Sequence, residues 1–132
     1  MELTDITVGM VNEVTDVVTD KNTAKTMGSG SLPVFATPAM TCLMEKAATE
    51  LLEPKLEDGW TTVGISLNIA HNAATPVGMH IRAVAKVTAV EDRKVSFEVK
   101  AFDDAGEIGT GTHERFAVTK EKFLKKAEAK KG

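Results

Sequence analysis

One stretch decides what this chain can become. Val34 to Leu52 is the only long, strongly helical segment before the last dozen residues, and everything after it reads as strands. Thr37 followed by Pro38 marks a helix start, with a hydroxyl to cap the first free amides and then a proline where no amide donor is missed. At roughly 100° per residue, Met40, Leu43, Met44, Ala47, Ala48, Leu51 and Leu52 fill one half of the wheel. Lys46, Thr49, Glu50 and Glu53 fall on the other half. Glu45 lies at the edge of the apolar arc, where a carboxylate is partly desolvated, and that is the first sign of chemistry.

Around the helix the chain alternates in strand fashion. Thr7 to Thr19 mixes β-branched and polar residues, a strand with neither face clean. Asp20 to Pro33 is polar, with Gly28-Ser29-Gly30-Ser31, and reads as a lid-like loop over residues 20–33. After the helix, Pro54 and Asp58-Gly59 turn the chain into a strand from Trp60 to Ala73. There Val63, Ile65, Leu67, Ile69 and His71 point one way, the side expected to meet the helix. Met79 to Val90, Val95 to Ala101 and Glu107 to Val118 follow, with polar turns at Glu91–Lys94 and Asp103–Gly106. Short turns imply an antiparallel meander of these four strands. Residues 119–132 form a lysine-rich helix or tail with a thin apolar stripe, Phe123, Leu124 and Ala127. The fold class is therefore α+β, one helix packed across a curved antiparallel sheet. Gly109 and Gly111 in the last strand suit bending or close approach.

Composition narrows the function classes. A chain of 132 residues, 42% hydrophobic and 27% charged, suits one compact domain over residues 1–132, with little room for a deep pocket of its own. A formal net charge of −3 argues against nucleic acid or an anionic membrane as main partner. The opening Met1-Glu2-Leu3-Thr4-Asp5 is not a signal peptide and no apolar run spans a bilayer, so the expected location is cytoplasmic. One cysteine excludes an internal disulfide, and three scattered histidines make a metal site a poor reading.

Four positions could carry chemistry. His71 on an apolar strand face is either a satisfied core histidine or a proton carrier. Glu45 on the helix that meets this face is either a snorkelling surface residue or its acidic counterpart, and both are costly to desolvate without a partner or a task. Thr37 is an N-cap on the plain reading. Eight residues of helix separate it from Glu45 by about 12 Å, so the two share one site only if the helix start bends back or a substrate spans the gap. Arg115, in phase with His113, is either part of an exposed ladder or an anion contact. Cys42 lies on the polar half of the wheel and His80 follows a turn glycine, so neither is a candidate.

Three blocks carry a family likeness: Val34-Phe35-Ala36-Thr37-Pro38-Ala39-Met40 with Leu43-Met44-Glu45; His71-Asn72-Ala73-Ala74-Thr75-Pro76-Val77-Gly78; and Glu107 through Arg115. In that order they resemble the hot-dog-fold thioesterases, in particular the fluoroacetyl-CoA thioesterase branch, over about residues 7 to 125. The resemblance implies a helix wrapped by a curved sheet, a homodimer with continuous sheets and interfacial sites, an acyl-CoA substrate, and no cofactor beyond the CoA of that substrate. It places the catalytic threonine, glutamate and histidine on Thr37, Glu45 and His71, and the substrate-contacting glycine and arginine on Gly64 and Arg115. It also implies bulky aromatic residues in the lid, whereas Asn22 to Pro33 has none. An acyl-CoA, short-chain or of an acyl group left open, is thus the expected substrate, hydrolysed to free acid and CoA. The rivals are a hydratase or dehydratase acting on acyl-CoA, and a non-catalytic acyl-CoA-binding protein.

Overall fold

The computed structural model describes residues Met1–Gly132. Strand β1 (Val11–Val17) leads through a 3₁₀ turn and a short helix α1 (Ala24–Met27) to the central helix α2 (Thr37–Leu52). Strands β2 (Trp60–His71), β3 (His80–Glu91), β4 (Lys94–Asp103) and β5 (Gly106–Thr119) follow, and helix α3 (Lys120–Glu128) closes the chain. The apolar half of α2 is buried as its periodicity demands: Met40, Leu43, Met44, Ala47, Ala48, Leu51 and Leu52. Beneath it lie Ile81, Ala83, Ala85 and Val87 of β3 and Val95, Phe97, Val99 and Ala101 of β4. The three alanines let the helix approach the sheet closely, and each larger side chain buried here stabilises by about 1.5–3 kcal/mol. Asn12 of β1 donates from Nδ2 to the Ala47 carbonyl at 2.9 Å, tying the first strand to the helix.

All five strands are antiparallel, in the order β1-β3-β4-β5-β2. The expected meander holds for β3, β4 and β5 only. Strand β2 lies beside β5 at the edge, because residues 72–79 cross the sheet rather than turning back on themselves. Extended chain of that length reaches about 25 Å, ample for strands spaced about 4.8 Å apart. The crossing segment is pinned by a bridge between Val34 and Pro76 and by the Phe35 N–H donating to the Thr75 carbonyl at 2.8 Å. Those bonds set the start of α2 against the end of β2.

The faces of β2 also differ from expectation. A bulge at Ile65 places Gly64 opposite Arg115 and Ser66 opposite Glu114. One extra residue inverts the alternation. Thr62 and Gly64 therefore share the helix-facing side with Leu67, Ile69 and His71, while Ile65 is 51% exposed. On β5 the helix-facing set is Gly109, Gly111, His113 and Arg115. An added methyl at Gly109 would lie 2.6 Å from the Met40 sulfur, so close approach explains that glycine.

Two smaller segments complete the fold. Residues 20–33 are not featureless: Thr23 caps α1, Gly28 ends it at φ 78°, and the Ala24 N–H donates to the Val34 carbonyl at 2.8 Å. On α3, Phe123 and Leu124 are exposed, so the thin stripe is not buried against the body of the fold. No helix is long and apolar enough to cross a membrane.

Candidate active site

Thr37 and His71 meet at the junction just described. The Thr37 hydroxyl and His71 Nδ1 are 2.7 Å apart, a short hydrogen bond. Thr37 is not the N-cap. Ala36, with extended backbone at φ −76° and ψ 141°, takes that position without a side-chain bond. A Thr-Pro pair looks like a cap followed by the first helical residue, but the helix starts one residue earlier and frees the hydroxyl. The start is also regular, with the Met40 N–H donating to the Ala36 carbonyl at 2.9 Å, so Thr37 does not sit in a bent start.

His71 Nε2 is buried and has no hydrogen-bond partner. Such an atom calls for a ligand or a further group. Burial lowers the pKa of His71 from its usual 6.5, only partly offset by the Ala73 backbone. The imidazole is thus neutral at physiological pH and can take a proton from the hydroxyl beside it. The pair opens onto a cleft of about 250 Å³ walled by Ala24, Ser29, Phe35 and Asn72.

Glu45 belongs to a second group. Its side chain is 43% exposed and its Oε2 lies 3.4 Å from Nη1 of Arg115, which is 8% exposed. Arg115 is fixed by Thr62: Nε donates to the Thr62 hydroxyl at 2.9 Å and Nη2 to the Thr62 carbonyl at 3.0 Å. Nη1 also donates to His113 Nε2 at 3.2 Å, and His113 Nδ1 donates to the Ser66 carbonyl at 2.8 Å. Burial lowers the Arg115 pKa and Glu45 opposes the shift, yet the guanidinium stays charged. Gly64 closes the group. A methyl there would lie 2.8 Å from Glu45 Oε2, 3.2 Å from His113 Cε1 and 3.4 Å from Arg115 Nη1.

The sequence-chosen residues therefore fall into two clusters, Thr37 with His71 and Glu45 with Arg115 and Gly64. No hydrogen bond joins them, and α2 holds Thr37 and Glu45 about 12 Å apart along its axis. His113 and Arg115 do not form an exposed ladder; both are buried beneath α2. Sequence reasoning missed Thr62 and His113 as partners of Arg115. The available signal was phase: His113 and Arg115 share a face with Gly109, Gly111 and Ala117, small residues that leave room for a helix. Cys42 is exposed, and the His80 side chain is 73% exposed.

Comparisons with known proteins agree with this fold. A family model described as "FlK: Fluoroacetyl-CoA-specific thioesterase" matches residues 18–121. A fluoroacetyl-CoA thioesterase from Streptantibioticus cattleyicolor is 42% identical over 97 residues, 74% of this chain and 70% of that protein. A solved fluoroacetyl-CoA thioesterase superposes with a TM-score of 0.89 at 35% identity, covering 95% of this chain and 97% of the other. A hypothetical protein of the thioesterase superfamily from Thermus thermophilus gives 0.88 at 30% identity, covering 96% and 93%. The chain belongs to the fluoroacetyl-CoA-specific thioesterase family, and with it to the hot-dog thioesterases.

Proposed function

We propose that this protein hydrolyses a short-chain acyl-CoA to the free acid and CoA, at sites shared between two copies of the chain. The observation that carries the reading is the 2.7 Å Thr37–His71 bond at the mouth of a cleft, with His71 Nε2 left unpartnered. A hydroxyl on a neutral imidazole whose far nitrogen awaits a third group is the logic of an activated nucleophile or of a water held for attack. Family relatives support the substrate class: solved forms of the fluoroacetyl-CoA thioesterase hold fluoroacetate with CoA, and acetyl-CoA. The cleft of about 250 Å³ suits a short acyl group.

Two features support the dimer. Strand β2 is a twelve-residue edge strand with Ile65 half exposed, and a long unprotected edge invites pairing. Pairing β2 with its copy brings a second helix alongside, so that the Glu45 of one chain serves the Thr37 and His71 of the other. That arrangement supplies His71 Nε2 with a carboxylate and removes the 12 Å separation within one chain. A thiol leaves readily, its pKa being near 8.5, so the enzyme needs chiefly a nucleophile and a stabilised oxyanion. Glu45 acts as general base on water, or as nucleophile through an anhydride. His71 moves or orients the proton, and Thr37 binds the reacting centre or attacks it. Gly64 leaves room beside Glu45 for the thioester, and Arg115 holds that carboxylate while facing the acyl portion. The lone cysteine, unpaired, suits a reducing cytoplasm.

A panel of acyl-CoAs, with free thiol followed against Glu45→Ala, tests the reading. Thiol release that the variant loses supports it. No release from any acyl-CoA removes the hydrolase reading, and release unchanged in Glu45→Ala removes Glu45 from the reaction.

A further inference from the structure

The buried histidine of the second cluster has no part in the chemistry above, yet both of its ring nitrogens have partners. His113 Nδ1 reaches the Ser66 carbonyl, a contact possible because the Ile65 bulge displaces Ser66 from regular register. A carbonyl only accepts, so Nδ1 carries the proton and Nε2 presents a lone pair to Arg115 Nη1 at 3.2 Å. Phe97 of β4 stacks on the ring, with centroids 6.1 Å apart. Ser66 is itself held, its hydroxyl donating to Glu114 Oε1 at 2.8 Å.

We propose that His113 is a positioning residue: as a neutral, Nδ1-protonated imidazole it restricts Arg115 to a single N–H contact with Glu45. The proposal rests on the reading of Glu45 as the working carboxylate. An arginine left to itself grips a carboxylate with two parallel N–H bonds, which occupies both oxygens and weakens the group as a base. Here that grip is dismantled donor by donor. Thr62 takes Nε and one hydrogen of Nη2, and His113 takes one hydrogen of Nη1. Glu45 is left with one contact, at 3.4 Å, through Oε2 only. The carboxylate is oriented but Oε1 stays available.

The device fails when His113 gains a proton. An imidazolium sets an N–H against a guanidinium N–H and a second positive charge beside Arg115. The charged groups around the ring are Arg115 on its own strand, Glu45 from α2 and Glu114 next in sequence on the opposite face. Phe97 covers it from β4, and Leu67 and Ser66 from β2. Burial, with Arg115 adding to it, lowers the pKa of His113 from 6.5, while the Ser66 carbonyl and the two carboxylates oppose that. The neutral form is therefore kept through the working range.

Two variants and one spectrum test this. His113→Phe keeps the stack on Phe97 but has no acceptor; His113→Gln places an amide oxygen where Nε2 was. With an acyl-CoA that the wild type cleaves, His113→Phe should lower kcat about 10- to 100-fold with KM within about twofold, since misplacing a reacting group by about 1 Å costs that much. His113→Gln should stay within about threefold of wild type and lose one proton from the acid limb of its pH profile. Equal losses in both variants, or wild-type kcat in His113→Phe, overturn the proposal. Nitrogen NMR of the wild-type imidazole supplies a readout independent of turnover. The Nδ1–H tautomer and a slowly rotating Arg115 guanidinium, freed in His113→Phe, support it; an Nε2–H tautomer refutes it. Absence of thiol release from every acyl-CoA would defeat the hydrolase reading instead, and the spectrum would still decide the geometry.

Discussion

Gly64→Ala is the most discriminating single substitution. The added methyl would stand 2.8 Å from Glu45 Oε2, where ordinary contact begins at 3.4 Å, so the carboxylate must retreat by about 0.6 Å. It can do so cheaply as far as folding is concerned. Glu45 is 43% exposed and ends a flexible side chain, and Arg115 keeps its two bonds to Thr62 when the ion pair loosens. Catalysis has no such latitude. A displacement approaching 1 Å costs about 100-fold, or about 2.7 kcal/mol of transition-state stabilisation. The expected outcome is kcat/KM down by about two orders of magnitude, with the unfolding midpoint in urea almost unchanged. Steady-state thiol release and denaturant titration on the same preparation measure both. Wild-type kcat/KM in a folded Gly64→Ala protein would refute the claim that Glu45 works where it stands beside Gly64.

Thr37→Val keeps the shape and removes the hydroxyl, leaving His71 Nδ1 without its 2.7 Å partner. Activity should fall about 100- to 10,000-fold, as for loss of a general acid–base contact, while Thr37→Ser retains most of it. Because Ala36 rather than Thr37 caps α2, thermal stability should hardly change. A loss of stability without loss of rate would return Thr37 to a structural role. Stability itself should weaken in mild acid. His71 and His113 have folded pKa values below 6.5, so between those values and 6.5 the unfolded chain binds more protons than the folded one. Their contribution is complete above pH 6.5 and is lost as the pH falls through the folded values. Urea unfolding from pH 7.5 down to pH 5 should show that decline, shallower in His113→Gln; a flat profile would contradict the assigned burial.

How far the sequence discloses all this depends on the range over which each feature is determined. The apolar wheel of α2 and the alternation of β3, β4 and β5 are local patterns with short polar turns between them, and they read directly. The place of β2 was not legible, since an edge strand's neighbour is chosen by a crossing of residues 72–79 that resembles an ordinary loop. The bulge at Ile65 was concealed because Val63, Ile65 and Leu67 look like an unbroken apolar alternation. That one inserted residue is why Thr62 and Gly64, rather than Val63 and Ile65, face the helix. Thr37, Glu45 and His71 are legible as candidates, but the Thr37-Pro38 pair imitates an N-cap that Ala36 in fact supplies. Only the packing of β5 under α2 turns His113 and Arg115 inward, where their polarity alone suggested water.

The shared site is tested most directly by mixing two inactive chains. Glu45→Ala and His71→Ala are each prepared alone, then unfolded together, refolded, and assayed for thiol release from an acyl-CoA that the wild type cleaves. If one chain supplies Glu45 and the other His71, half of the reassorted dimers regain one of two sites, restoring about a quarter of wild-type activity. Activity of the mixture no higher than that of the separate variants would contradict a site built from two copies.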